Sequence, residues 1–188
     1  MDTEHSHRKT QHKDGDIHFL TFSTFRCQPF FPGTHAANWF IEFLAKARER
    51  CPFRLFAYVI MPEHIHLILR PGDGISMRKI YWHLKRPMTD KVVTWVKIHH
   101  PTFLNRMADK QPTGDLTYRF WQRGGGYDRW MRTPSDLHEK IRYIHMNPVR
   151  SGLVSRPEEW KYSSAAEWIW GEPGMAKIDW DDLPPADG

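Results

Sequence analysis

The chain has 188 residues, 40% of them hydrophobic and 26% charged, which suits one globular domain able to bury a sizeable core. Two cysteines outside any C-x-x-C pair exclude a disulfide scaffold and fit a reducing, cytoplasmic setting. No apolar run approaches the ~20 residues of a membrane span, and no signal-peptide pattern opens the chain, so no membrane partner is expected. The formal net charge is +5 and the sequence pI about 9.3. The charge is uneven: between residues 171 and 188, Glu172, Asp179, Asp181, Asp182 and Asp187 face only Lys177. A basic body with an acidic tail points to a polyanionic partner, most simply nucleic acid, and the tail could fold over the basic surface.

Residues 1–15 are polar, lack periodicity and read as a disordered extension. Ile17 to Cys27 reads as a strand, with Phe19, Thr21, Ser23 and Phe25 on one face. Pro29 and Pro32-Gly33 end it. Thr34 is placed to cap a helix running to about Arg50, whose Phe40, Phe43, Leu44 and Ala47 form an apolar stripe. Phe53 to Met61 is a mainly apolar run, read as a central strand. Beyond Pro62, residues 63–70 read as its antiparallel partner: Ile65, Leu67 and Leu69 face one way, and His64, His66, Ile68 and Arg70 the other.

After the turn at Pro71-Gly72-Asp73-Gly74, Ile80, Leu84 and Met88 mark a helix that Pro87 should kink or split. Residues 100–114 read as a loop and Leu116 to Gln122 as a strand. Gly124-Gly125-Gly126 then interrupts the chain before an edge strand from Tyr127 to Met131. Thr133-Pro134 opens a last helix, with Asp136 in its first turn and Pro148 ending it near Asn147. The order β-α-β-β-α-β-α predicts an α+β fold: one antiparallel sheet with helices packed on one face. Residues 16–170 make a single domain, and 171–188 a tail.

His64 and His66 carry the clearest chemistry. Residues two apart in a strand share a face, so both imidazoles are presented together as a bidentate metal clip. On the last helix, Glu139, Tyr143 and Asn147 are spaced by four and line one stripe, beside an apolar stripe of Leu137, Ile141 and Ile144. A tyrosine attacking phosphorus conserves the bond energy in a covalent phosphotyrosine, and a metal on the same phosphate would neutralise developing charge. Asn147 could supply a third ligand through its side-chain oxygen. Arg70, Lys79, Lys85 and Arg123 are candidate phosphate contacts, and Trp82 and Trp121 candidate base-stacking rings.

Met61-Pro62-Glu63-His64-Ile65-His66-Leu67-Ile68-Leu69 and, downstream, Tyr143-Ile144-His145-Met146-Asn147-Pro148-Val149-Arg150-Ser151-Gly152-Leu153-Val154 together resemble the single-tyrosine HUH transposases. The closer similarity is to their domesticated relatives, the REP-associated tyrosine transposases. Phe120-Trp121-Gln122 and Trp160-Lys161-Tyr162-Ser163-Ser164 fit the same group, so the resemblance covers about residues 16–168. It implies a ferredoxin-like fold with the H-x-H on a central strand. It further implies Mg2+ or Mn2+ held by His64, His66 and Asn147, and Tyr143 attacking the scissile phosphate of single-stranded DNA near a hairpin. The products would be a 5′-phosphotyrosine and a free 3′-hydroxyl, and the protein would act as monomer or homodimer. From ligand chemistry alone, two imidazoles and an amide suit Mn2+, Zn2+ or Co2+ better than Mg2+. Tyr127 is a competing nucleophile without an amide partner at i+4. A water-using metal nuclease and a non-catalytic nucleic-acid binder are the alternative readings.

Overall fold

The computed structural model describes residues 15–31 and 34–186, so the expected disorder of the N-terminal segment lies almost wholly outside the described residues, as does the Thr34 side chain expected to cap a helix. The fold is α+β. A four-stranded antiparallel sheet has the order β2-β3-β1-β6, formed by β1 (His18–Ser23), β2 (Phe53–Ile60), β3 (His64–Pro71) and β6 (Tyr127–Trp130). β1 and β2 both run antiparallel to β3, so they are parallel to each other across it and joined by α1 (Thr34–Arg50). β3 and β6 both run antiparallel to β1 and are joined through α2 (Met77–His99). Two split β-α-β units interleaved in this way are the ferredoxin-like arrangement.

The period of two along each strand sorts the core into two layers. Leu20, Phe22, Leu55, Tyr58, Ile60, Ile65, Leu67 and Leu69 pack against Phe40 and Leu44 of α1 and Ile80, Leu84 and Met88 of α2. On the opposite face, Phe19, Phe56, Val59 and Ile68 pack against Leu137, Ile141 and Ile144 of α4 (Pro134–His145). Helices therefore cover both faces: α1 and α2 share one, as expected, while the tyrosine-bearing helix crosses the other. A bulge between Leu55 and Ala57 lets the consecutive Phe56 and Ala57 enter the same layer.

Several local expectations change. β2 reads as a central strand but lies at the sheet edge. Its apolar character is explained by the C-terminal segment that seals that edge. Leu55 and Asp179 exchange hydrogen bonds (2.7 and 2.8 Å), Ile60 N donates to Tyr162 O (2.9 Å) and Tyr58 N to Ser164 Oγ (3.0 Å). The indoles of Trp160 and Trp168 donate to the carbonyls of Ile60 and Phe56. Pro87 neither splits nor ends α2. Beside it, the Lys85 carbonyl accepts from Thr89 Oγ1 (3.0 Å) and Trp121 Nε1 (3.1 Å). The expected loop after residue 100 contains α3 (Leu104–Met107) and β4 (Ala108–Lys110). β4 pairs with β5 (Leu116–Tyr118) in a separate hairpin, shorter than the strand expected to reach Gln122. α4 is capped by Thr133, whose side chain accepts from Asp136 N (3.1 Å), and Asn147 opens the short α5 (Asn147–Arg150). Among the described residues, no helix is long and apolar enough to cross a membrane.

His145 ends α4 buried, with Nε2 2.8 Å from Ser164 Oγ, which itself accepts from the β2 edge. Burial lowers its pKa to about 4. The unfolded chain therefore takes up this proton first, near pH 6.5, and the stability present above that value is lost as pH falls towards 4. Urea unfolding is expected to show His145 contributing about 2 kcal/mol to the difference between pH 7.5 and pH 5, a contribution that His145→Gln removes.

Candidate metal and nucleophile site

β3 presents His64 and His66 on the α4 side of the sheet, their ring centroids 4.7 Å apart at 70°. His66 sits opposite Thr21 of β1, and its Nδ1 is 2.8 Å from Thr21 Oγ1. His64 Nδ1 is 2.7 Å from Glu63 Oε1, and His64 Nε2 is 3.3 Å from the side-chain amide of Asn147. Burial pushes the His66 imidazole down to about 3, and His64 and Arg150 push the same way. At neutral pH His66 is thus an uncharged ring with a free lone pair, the form that binds a metal.

Among the described residues no group of three or more His, Cys, Asp or Glu side chains could hold a metal ion. The local donor set is therefore two imidazoles and one amide, which fits a borderline divalent ion better than a hard one. A half-turn of the Asn147 amide exchanges its nitrogen for the oxygen that a cation would need.

The sequence placed Tyr143 and Asn147 on one stripe, and the structure brings both to the histidines. The Tyr143 ring lies 6.0 Å from that of His66 and stands edge-on to Phe19 at 6.3 Å. Its exposure of 42% leaves it open to a large substrate. Two cations flank it that the sequence reading missed. The Arg150 guanidinium is 4.3 Å from the ring centroid and donates to the Tyr143 carbonyl (2.8 Å), and Lys140 Nζ is 5.6 Å from the ring. Lys140 precedes Tyr143 by three, a spacing that shares a helix face, whereas Arg150 depends on the turn into α5. Tyr127 reaches the same face across β1, 6.0 Å from Phe19.

The expected phosphate contacts divide. Lys85 and Arg123 line one pocket with Arg78, Trp82, Arg86 and Arg119, on the α2 side of the sheet and away from the histidines. Lys85 Nζ donates to Gly124 O (3.2 Å), and burial lowers its pKa to about 8. Arg123 pairs with Asp109 at 2.9 Å. Lys79 is exposed on α2 outside this pocket. Arg70 shares the histidine face but pairs at 3.1 Å with Asp182 of the tail, which also binds Arg54 at 2.6 Å. Of the two indoles expected to stack on bases, Trp82 is 61% exposed, whereas Trp121 is only 6% exposed and packs edge-on to Phe22, Phe40 and Phe120 in the core.

Fold and site together define a small α+β protein that sets a His-x-His strand against a tyrosine-bearing helix. No family model matches the chain. A REP-associated tyrosine transposase of Escherichia coli is 26% identical over 138 residues, 73% of this chain and 68% of that one. A Haemophilus influenzae protein named for the same group is 27% identical over 157 residues, 80% of this chain and 81% of its own. A solved REP-associated tyrosine transposase, bound to a REP hairpin, shares the fold with a TM-score of 0.66 at 18% identity, over 96% of this chain and 94% of that one. The chain is thus similar to REP-associated tyrosine transposases over most of its length, the same group that its motifs resemble.

One backbone constraint brings Tyr127 to the site. Gly126 has φ +91°, and a Cβ there would lie 2.4 Å from the Thr21 carbonyl oxygen, whereas a Cβ on Gly125 meets nothing within 4 Å. Gly126→Ala is therefore expected to cost about 2 kcal/mol or more in urea unfolding, and Gly125→Ala under about 0.5 kcal/mol.

Proposed function

We propose that this chain is a DNA transposase of the single-tyrosine kind, cutting and rejoining single-stranded DNA beside a hairpin. The observation that carries the reading is the convergence of His64, His66 and Asn147 with the ring of Tyr143 6.0 Å from His66. The two relatives are named as tyrosine transposases, and the solved relative was bound to a REP hairpin, which supports DNA of that class as substrate.

The steps follow from the groups present. The Tyr143 phenol oxygen attacks the scissile phosphorus and gives up its proton. The bond from phosphorus to the 3′ oxygen breaks, and that oxygen takes a proton to become a 3′-hydroxyl. The 5′ side stays attached as a phosphotyrosine. Attack by a 3′-hydroxyl reverses the sequence and rejoins a strand, because the number of phosphate ester bonds is conserved throughout. His64, His66 and Asn147 would hold a divalent ion, Mn2+ or Mg2+, which when bound would supply charge neutralisation at the phosphate. Arg150 and Lys140, on either side of Tyr143, provide positive charge for the DNA backbone where it enters. Across the sheet, the pocket holding Lys85, Arg86, Arg123 and the exposed Trp82 offers both phosphate contacts and a stacking surface for an unpaired base.

The decisive test is incubation with hairpin-bearing single-stranded DNA and Mn2+ or Mg2+, read as covalent protein–DNA adduct on a denaturing gel. Wild type is expected to give a metal-dependent adduct and Tyr143→Phe none. Cleavage without adduct would assign the attack to water, and binding without cleavage would make the protein a non-catalytic binder. Titrations of the same DNA across salt concentrations are expected to show Arg123→Ala lowering the slope of log affinity against log salt by about 1, if Arg123 contacts one phosphate.

A further inference from the structure

The two histidines are each held from behind by a side chain outside the H-x-H pair. Glu63 stands at the bend before β3, and its carboxylate lies 2.7 Å from His64 Nδ1. An ionised carboxylate only accepts hydrogen bonds, so Nδ1 carries the proton and Nε2 keeps its lone pair. On the other side of the ring, the Asn147 side-chain amide lies 3.3 Å from His64 Nε2, and with its nitrogen turned to the ring it donates to that lone pair. For His66, Thr21 Oγ1 is 2.8 Å from Nδ1, and a hydroxyl, which can donate or accept, fixes where that ring points and not which nitrogen carries its proton. Free neutral histidine favours the opposite tautomer, with the proton on Nε2. Left alone, the His64 ring would turn a hydrogen towards the place where a lone pair is wanted.

We propose that Glu63 and Thr21 are positioning residues: Glu63 locks His64 as its Nδ1–H tautomer, and Thr21 holds the orientation of the His66 ring, so that the two Nε2 atoms face the site together. The assignment rests on the metal reading above for its purpose, but the tautomer lock is a property of the metal-free chain. The two clamps differ in kind. The carboxylate adds negative charge behind His64 and strengthens it as a donor. The hydroxyl behind His66 supplies direction without charge, inside a buried strand pair.

Both clamps can be removed without dismantling the fold. The Glu63 side chain is 36% exposed, and the packing of that bend rests on its backbone carbonyl, which accepts from Thr24 N and Oγ1 at 2.9 Å. Thr21→Val keeps the shape of the side chain and deletes only the hydroxyl. The test is long-range 1H–15N correlation on histidine-labelled, metal-free protein, which reports the tautomer of each ring, followed by calorimetric titration with Mn2+ and Co2+. Wild type is expected to show Nδ1–H at His64. Glu63→Ala should raise the Nε2–H population of His64 alone and weaken ion binding about 10- to 100-fold, and Thr21→Val should weaken ion binding while leaving the His64 tautomer unchanged. Glu63→Gln, whose amide oxygen still accepts, should recover much of the loss.

An unchanged His64 tautomer in Glu63→Ala, or unchanged ion binding in Thr21→Val, would overturn the proposal. So would weaker ion binding with no tautomer change in Glu63→Ala, because that would make Glu63 a ligand in its own right. A wild-type protein that binds neither ion would remove the metal reading, while the tautomer spectra would still decide the lock.

Discussion

Because successive residues of β3 point into opposite layers, one strand both anchors the fold and carries the site. Ile65, Leu67 and Leu69 are fully buried between the sheet and α1 and α2, so the strand cannot slip by one residue without driving His64 and His66 into the core. Pairing with β1 then fixes which side chain stands opposite each histidine, and Thr21 is the one that meets His66. Pairing with β2 on the other side closes the frame. The apolar stripe of α4 is seated on the same face as the histidines, and it is this seating that brings Tyr143 and Asn147 within reach.

Much of this was legible because it is local. The alternation in residues 63–70, the Thr133 cap and the i, i+4 stripe holding Tyr143 and Asn147 all arise from neighbours in sequence, and the structure reproduces each. What escaped the sequence depends on distant partners. The β2 edge looked central because its neighbours are Tyr162, Ser164 and Asp179, more than a hundred residues away. Pro87 looked like a helix breaker, yet α2 runs through it from Met77 to His99. The placement of α4 on the second face, and of Arg150 over the Tyr143 ring, depends on the turn between α4 and α5.

The charges are organised by the fold more than by the composition. The acidic tail meets arginines at the β2 edge: Asp179 pairs with Arg48 at 2.6 Å, and Asp182 with Arg54 and Arg70. Ile178 is buried and Trp180 packs on Trp168 at 4.7 Å, so this segment is held by apolar contacts as well as by charge. Positive groups stand on opposite sides of the sheet, around Tyr143 and around the pocket lined by Lys85 and Arg123. A substrate touching both would have to pass around the sheet rim, which an extended single strand could do more readily than a straight duplex.

The sealing of β2 by residues 160–179 also has a consequence in time. These hydrogen bonds span roughly the last two thirds of the chain, and contacts of such sequence separation form slowly. During synthesis, β2 emerges with an apolar, unpaired edge and waits for its cover until the C-terminal segment has left the ribosome. An edge of that kind is a template for pairing with another chain. Truncation before Trp160 therefore leaves a nascent protein prone to strand addition and aggregation, even though the His-x-His strand and the tyrosine helix are both already made.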